Sequence, residues 1–393
     1  MRVLFTCMAY TGHVHPIAPF ARALAAAGHD VAVATHESLA AQVAAAGLRH
    51  LPAGLSRTSP EVLALWREIG DAALGTAAAE AFVMQRDFGG LRPQRMLDDL
   101  AVRFADWTPD LVVRDSMELG GALAAERAGL PHAAINILAA GLQPRWRTGI
   151  VAPLERLRAA NGMPPDPQGA MLSRYLTLHP FPPSFSAVPA LPTDRFVRPL
   201  PFDRSGSETL PDWVDDLPRR PTVYATLGTA FNDLPGLFEA FVAGLGDAPL
   251  NLIVTVGRDG DPAALGPLPA NTRVERYIPQ SLLLPRCDLV LTHGGSGTVT
   301  GALAAGLPLV VVPVAADQPE NAARCAALGV GRVVPAAAVT PDAVRDAVRA
   351  VLADPSYRRN AARLRDEIAA LPAPEVGIAL LEALGAGRRR RAA

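Results

Sequence analysis

Two histidines stand one residue apart in Gly12-His13-Val14-His15-Pro16, just after the apolar run Arg2 to Cys7. An imidazole in such a place can take a proton from an alcohol near neutral pH, ligate a metal, or simply occupy a turn. A second set lies far along the chain, where an apolar run ends at Thr292 and His293-Gly294-Gly295-Ser296-Gly297-Thr298 follows, with a helical pattern from about Gly297. Glycines there let a ligand approach the backbone, and the free N–H groups of a first helical turn favour a phosphate. Ser296 and Thr298 add hydroxyls, and His293 adds a ring N–H; the same residues also suit a plain strand-to-helix turn with a hydroxyl cap. The next apolar run ends in Asp317-Gln318, an acid and an amide that suit vicinal hydroxyls of a sugar, although Asp317 also reads as a helix cap before Pro319. Arg324 and Asn321, one helical turn further on, either support that pair or lie on the surface.

Several chemistries are excluded or disfavoured. The chain of 393 residues contains no lysine, which removes a Walker phosphate loop, a pyridoxal Schiff base and a carboxylated-lysine metal bridge. No G-x-S-x-G elbow supplies a hydrolase nucleophile. A metal reading of His13 and His15 needs further ligands, yet His29, His36, His50, His132 and His179 form no ligand-spaced cluster, so no metal is expected. With a net charge of −1 and dispersed arginines, nucleic acid is not an expected partner; the run Arg388 to Arg391 reads as a solvated tail. Three cysteines, Cys7, Cys287 and Cys325, with no CxxC pair, read as reduced and buried. No stretch approaches the ~20 apolar residues of a membrane span, and no signal peptide precedes the first strand, so a cytoplasmic protein is expected.

The elements that must position these residues alternate strand and helix: "RVLFTC", a helix from Pro16, "DVAVAT", a helix through "SLAAQVAAAGL", then "PDLVVRD" ending in Asp115, "GGALAAERAGLP" and "HAAINIL". The alternation restarts with "PTVYATLG" and runs through "LNLIVTVG", "TRVERYIP", "CDLVLTHGG", "LPLVVVPV" and "GRVVP". Continuous apolar runs of this kind predict parallel strands covered on both faces. The expected fold class is therefore α/β, with two Rossmann-like doubly wound parallel-sheet domains facing a shared cleft. The expected boundaries are 1–203 for the first domain, 204–220 for a linker, 221–372 for the second domain, and 373–393 for a C-terminal helix and tail crossing back to the first domain. Between Ser56 and Asp106 lies a helical insertion. Trp66, Phe82, Met84 and Phe88, with Trp146 beyond it, form either a pocket wall for a large apolar molecule or ordinary core.

In this order and spacing, the motifs resemble those of the family-one nucleotide-sugar glycosyltransferases, inverting and metal-independent GT-B enzymes that modify natural products. The G-H-x-x-P sequence after the first strand is Gly12 to Pro16, the diphosphate loop is His293 to Thr298, and the Asp-Gln sugar clamp is Asp317 and Gln318. The V-P-Q segment facing the nucleobase corresponds to Tyr277-Ile278-Pro279-Gln280, and a strand-end Gly-Thr near the phosphates to Gly228-Thr229. The resemblance implies His13 as the catalytic base, Asp115 as its partner, and donor binding by Gly228, Thr229, Tyr277, Ile278, Gln280, His293, Gly295, Ser296, Gly297, Thr298, Asp317 and Gln318. His15, before Pro16, is then a turn or pocket residue. The implied co-substrate is a nucleoside-diphosphate sugar, with no cofactor and no metal; the acceptor is a small apolar natural product bound by Trp66, Phe82, Met84, Phe88 and Trp146. Two departures bear on the donor. Gly301 stands where many members carry a glutamate for the ribose hydroxyls, and Tyr277 stands where uridine-using members often carry tryptophan; both lean toward a thymidine-diphosphate deoxysugar. A nucleotide-sugar epimerase and a non-catalytic glycosyltransferase-like auxiliary protein are the competing readings, the second requiring loss of the base and clamp. A homodimer is compatible with this reading.

Overall fold

The computed structural model describes residues 1–70, 77–142, 144–203, 208–229 and 236–392. The side chains of Arg388 to Arg391, and residues 204–207 of the expected linker, lie outside that description. Two compact units are present: Met1–Pro180 with Val188–Phe202 and Pro372–Ala393, and Phe181–Ala187 with Asp203–Leu371.

The first unit holds a seven-stranded parallel sheet of β1 Arg2–Thr6, β2 Asp30–Thr35, β3 Arg49–Pro52, β4 Leu111–Asp115, β5 His132–Ile135, β6 Leu176–His179 and β7 Asp194–Phe196. Their spatial order is β3-β2-β1-β4-β5-β6-β7, so the sheet reverses direction of growth between β1 and β4. Val3, Leu4, Phe5, Leu111, Val112 and Val113 are fully buried, as helices on both faces require. Strands β3, β6 and β7 were not anticipated from the sequence. The helix after β1 is longer than expected, spanning Thr11–Ala26, with Pro16 and Pro19 inside it. Tyr10 caps it in extended conformation, and His13 and His15 therefore sit on the helix rather than in a preceding turn. Proline at position 16 has no N–H to offer the Gly12 carbonyl, so the first turn of this helix is held by fewer bonds than its interior. His15 packs its ring edge against Phe202, 5.9 Å between centroids.

The insertion before β4 is helical over Pro60–Arg67 and Ala77–Phe82, continues as a π-helix over Val83–Leu91, and ends in the α-helix Arg92–Asp106. The C-terminal helix Pro374–Ala392 joins the first unit. Its Leu381 is buried in the same core as Phe20 and Leu178, and its Glu382 pairs with His29 at 2.8 Å.

The second unit holds a six-stranded parallel sheet of β8 Thr222–Thr226, β9 Asn251–Thr255, β10 Thr272–Glu275, β11 Leu289–Thr292, β12 Leu309–Val311 and β13 Gly331–Val333. The order β10-β9-β8-β11-β12-β13 places its point of reversal between β8 and β11. Ligands of such sheets bind outside the carboxyl ends of the strands at that point. One short segment of chain departs from the expected partition. Phe181–Ala187 belongs to the second unit although β6 before it and β7 after it belong to the first. Phe185 is buried, Arg324 donates to the carbonyls of Ser184 and Phe185 at 2.6 and 3.1 Å, and Glu367 accepts from the Ser184 amide at 3.0 Å.

Candidate active site

In the first unit, β1 and β4 are hydrogen-bonded neighbours, so the loops at their carboxyl ends lie side by side. Asp115 closes β4 and is fully buried; His13 lies in the first turn of the helix after β1. Their side chains meet, His13 Nδ1 to Asp115 Oδ2 at 3.0 Å. The carboxylate also accepts backbone N–H bonds from Met8 at 2.9 Å on Oδ2, and from Met117 at 2.7 Å and Glu118 at 2.8 Å on Oδ1. Burial alone would raise this carboxyl, but the His13 imidazole and the backbone amides outweigh it and hold the group below the usual carboxylate range. An ionised Asp115 has only acceptors to offer, so His13 Nδ1 carries the proton and Nε2 keeps a free lone pair, the arrangement a general base needs.

The apolar side chains of Met8, Met117, Ile137, Leu138 and Trp146 form a cluster, with Tyr10, Met84, Phe88 and Leu142 packed against it. The structure thus brings together Met84, Phe88 and Trp146. Trp66 and Phe82 lie outside the cluster. Trp66, a third exposed, donates its indole N–H to Asp87 at 2.9 Å, and Phe82 carries the Arg86 guanidinium over its ring at 5.3 Å. The Tyr10 ring lies 5.3 Å from that of His13, and Arg92, paired with buried Asp87 at 2.7 Å, sits over Tyr10 and Phe88.

In the second unit, the loop after β11 runs into the helix Ser296–Ala304, which starts one residue earlier than the sequence pattern implied and has Gly295 as its N-cap. His293 is buried between the loops after β8 and β11, with Nδ1 3.1 Å from Thr292 Oγ1, and burial pushes its imidazole down to about 4, so the ring is neutral. Glycine is required on both sides of that ring. A Cβ at Gly228, whose φ is +72°, would fall 2.6 Å from His293 Cε1, and one at Gly295 would fall 2.7 Å from Nε2. Thr229 follows on the exposed side. Gly297 has open space where a side chain would begin, which leaves the first helical turn accessible to an anion.

Ser296 Oγ donates to Asp317 Oδ2 at 2.5 Å, and fully buried Asn321 ties the corner by donating to the Gly294 carbonyl at 2.9 Å and to Asp317 Oδ2 at 2.9 Å. Burial raises the Asp317 carboxyl, and the Ser296 and Asn321 bonds pull it back in part. The neighbouring Gln318 uses its Oε1 to accept the amides of Val314 and Ala315 at 2.8 and 3.0 Å, so its carbonyl holds the loop. Of the two residues one turn on, Asn321 therefore joins the Asp317 corner, whereas Arg324 is spent on the Ser184 and Phe185 carbonyls.

Toward β10, Gln280 Nε2 donates to Thr298 Oγ1 at 3.2 Å, and Ile278 is buried. Tyr277 donates its hydroxyl to the Asp203 carbonyl, carries Arg258 3.8 Å above its ring, and has its phenol pushed up to about 12, by burial first and by the Asp203 carboxylate second. At Gly301 a Cβ would meet only Leu284 Cδ1 at 3.2 Å and Gln280 Oε1 at 3.8 Å, both ends of flexible side chains. Sequence reasoning missed the Arg114–Glu118 network beneath Asp115. The available signals were a charged residue inside the apolar run "DLVVRD" and the D-x-x-E-x-G-G pattern that follows it.

The chain is similar to known proteins over nearly its whole length. Residues 22–228 match the N-terminal domain, and residues 240–384 the C-terminal domain, of the erythromycin biosynthesis protein CIII-like family. The 10-deoxymethynolide desosaminyltransferase of Streptomyces venezuelae is 31% identical, over 99% of this chain and 98% of the relative. The aklavinone 7-beta-L-rhodosaminyltransferase of Streptomyces galilaeus is 30% identical, over 100% and 97%. Among solved structures, the glycosyltransferase SsfS6 of Streptomyces sp. SF2575, complexed with thymidine diphosphate, superposes with a TM-score of 0.79 at 30% identity, covering 98% of this chain and 99% of that one. With two parallel α/β sheets and matches of this extent, the chain belongs to the erythromycin CIII-like family of GT-B glycosyltransferases of natural-product biosynthesis.

Proposed function

We propose that the protein is an inverting, metal-independent transferase that moves a deoxysugar from thymidine diphosphate to a hydroxyl of an apolar natural-product acceptor. The observation that carries this is the 3.0 Å contact between His13 Nδ1 and Asp115. An alcohol is a poor nucleophile until its proton is removed, and His13 Nε2 is the group free to remove it, while Asp115 holds the ring and balances the imidazolium that forms. Both Asp115 oxygens are occupied by donors, so the carboxylate is not free to attack the sugar. Direct displacement by the acceptor then inverts the anomeric carbon. The leaving diphosphate is matched by the N-terminus of the helix Ser296–Ala304, the neutral His293 ring, and the Thr298 and Thr229 hydroxyls, while the Ser296 hydroxyl is held by Asp317; this offers charge stabilisation without a metal. Asp317 and Gln318 are the assigned sugar contacts, and Tyr277, Ile278 and Gln280 the assigned nucleobase contacts. The cluster of Met8, Met84, Phe88, Met117 and Trp146 supports an apolar acceptor. The thymidine preference rests on Gly301, which has no carboxylate for a ribose 2′-hydroxyl, and on the thymidine diphosphate bound by the SsfS6 relative.

Among the described residues, no single helix is long and apolar enough to cross a membrane. The test is a panel of dTDP- and UDP-sugars against polyketide and aromatic alcohols, read by mass spectrometry, with and without EDTA. Product with dTDP-sugars that survives EDTA is expected. Isomerised donor without acceptor would favour an epimerase. His13→Ala should abolish turnover and leave dTDP binding measurable by calorimetry; surviving activity would remove His13 as the base.

A further inference from the structure

We propose that Arg114 is a positioning residue for the catalytic base, acting through the peptide groups of the turn Asp115–Glu118, with Glu118 as its counter-charge. The inference rests on the assignment of His13 and Asp115 as base and partner. Arg114 is a fully buried cation in the central strand β4. Its guanidinium donates to the carbonyls of Asp115, Ser116 and Glu118 at 3.1, 2.8 and 3.4 Å, and from its other terminal nitrogen to the Leu172 carbonyl at 2.7 Å. The same turn presents its amides the other way, Met117 and Glu118 N–H both donating to Asp115 Oδ1. One peptide group, that between Ser116 and Met117, is therefore held at both ends, its carbonyl by the buried cation and its N–H by the Asp115 carboxylate, and the Arg114 bonds to the Asp115 and Glu118 carbonyls fix the turn on either side of it. A peptide dipole fixed at both ends in a low-dielectric interior polarises and stiffens, and here it aims the carboxylate at His13.

Glu118 completes the device. Its carboxylate accepts from the amides of Gly120 and Gly121 at 2.7 and 2.9 Å and from the Thr6 hydroxyl. Thr6 is the last residue of β1, two positions before the Met8 amide that donates to Asp115 Oδ2. Glu118 thus ties the β1 end of the site to the β4 end, while its charge offsets that of Arg114. Neither Arg114 nor Glu118 contacts His13. Their influence on it runs through Asp115, whose Oδ2 decides which imidazole nitrogen holds the proton.

Three variants of the full chain test this: Arg114→Met, Arg114→Lys, and Arg114→Met combined with Glu118→Gln, which restores charge balance. The tautomer of His13 is read by ¹⁵N NMR of histidine-labelled protein without substrate, stability by thermal melting, and kcat and donor KM separately. In the wild type, neutral His13 is expected as the Nδ1–H form alone. In Arg114→Met both tautomers should appear, with kcat down roughly 10- to 100-fold and donor KM unchanged within about twofold, since a small misplacement of a catalytic group carries costs of that order. Lysine keeps the charge but cannot reach every carbonyl, and should fall between the two. The double variant should melt near the wild type and remain slow; it decides the matter if Arg114→Met does not fold. A single Nδ1–H tautomer with wild-type kcat in a folded Arg114→Met protein, or full recovery of kcat in the double variant, would overturn the proposal. Failure of the base assignment itself shows separately, as turnover by His13→Ala.

Discussion

Replacement of Asp115 by asparagine isolates the contribution of one proton position. Four donors converge on the two oxygens: the Met8 amide and His13 Nδ1 on Oδ2, the Met117 and Glu118 amides on Oδ1. Asparagine keeps the shape but offers one acceptor oxygen and one NH2 group. If the oxygen stays with the two turn amides, the NH2 faces Met8 N–H and His13. The imidazole must then accept at Nδ1 and carry its proton on Nε2, the nitrogen that should receive the acceptor's proton. The loss of a correctly placed tautomer in a histidine-aspartate pair costs about 10³- to 10⁴-fold in turnover, which corresponds to about 4–5.5 kcal/mol of barrier. Folding suffers less. The Met8 amide is left without its acceptor in a fully buried place, a loss of about 1–3 kcal/mol, and the stability conferred by the depressed Asp115 carboxyl disappears with it. That contribution is present above the unfolded-chain value of about 4 and is lost as pH falls through the lower folded value. The assay is kcat at saturating donor and acceptor by mass spectrometry, with a urea melt and dTDP calorimetry on the same preparation. Native-like dTDP affinity with a kcat within tenfold of wild type would refute the tautomer argument.

Gly301→Glu should fold, because the new Cβ needs only a shift of a few tenths of an ångström by the Leu284 methyl; it should raise the preference for UDP over dTDP roughly tenfold by calorimetry, a ribose hydroxyl bond being worth about 1–1.5 kcal/mol. The buried His293 imidazole, held near 4, leaves the unfolded chain binding more protons between pH 6.5 and 4, so stability should fall on acidification through that window. Urea midpoints at pH 7 and 5 should differ less in His293→Gln than in the wild type, and an equal difference would show that other groups control this window.

The parts of the fold that could be read in the sequence were those where burial on both faces forces a continuous apolar run. The strands β1, β2, β4 and β5 and the four inner strands of the second sheet, β8, β9, β11 and β12, are of this kind, whereas β10 and β13 at its edges are partly exposed and were legible from the strand–helix alternation around them. Strand β3 reads Arg-His-Leu-Pro and is half-exposed at the sheet edge, and β7 is three residues of mixed polarity at the opposite edge. An edge strand needs only one partner, so its composition carries little signal. The helix boundary at Thr11 was hidden because Pro16 usually marks a first turn, whereas here it sits deeper, where the turn after Tyr10 tolerates the missing N–H. At the site, His13, the Asp115 strand end and the His293 loop were visible through residue type and spacing. Arg114, Arg92 with Asp87, and the bonding of Asn321 were not, since each acquires its role from partners remote in sequence. Trp66 and Phe82 show the converse: aromatic type alone did not distinguish Phe88 and Trp146 of the apolar cluster from side chains engaged by Asp87 and Arg86.

The excursion of Phe181–Ala187 bears on how hybrid enzymes of this family could be assembled. Exchanging halves between relatives at a single junction near Asp203 would carry this peptide with the N-terminal half, although its carbonyls are held by Arg324 and its Ser184 by Glu367, both encoded in the C-terminal half. The C-terminal helix has the opposite allegiance, with Leu381 and Glu382 serving the core and His29 of the first unit. A chimera that respects these attachments needs four crossover points rather than one, moving 181–187 with the second unit and 372–393 with the first.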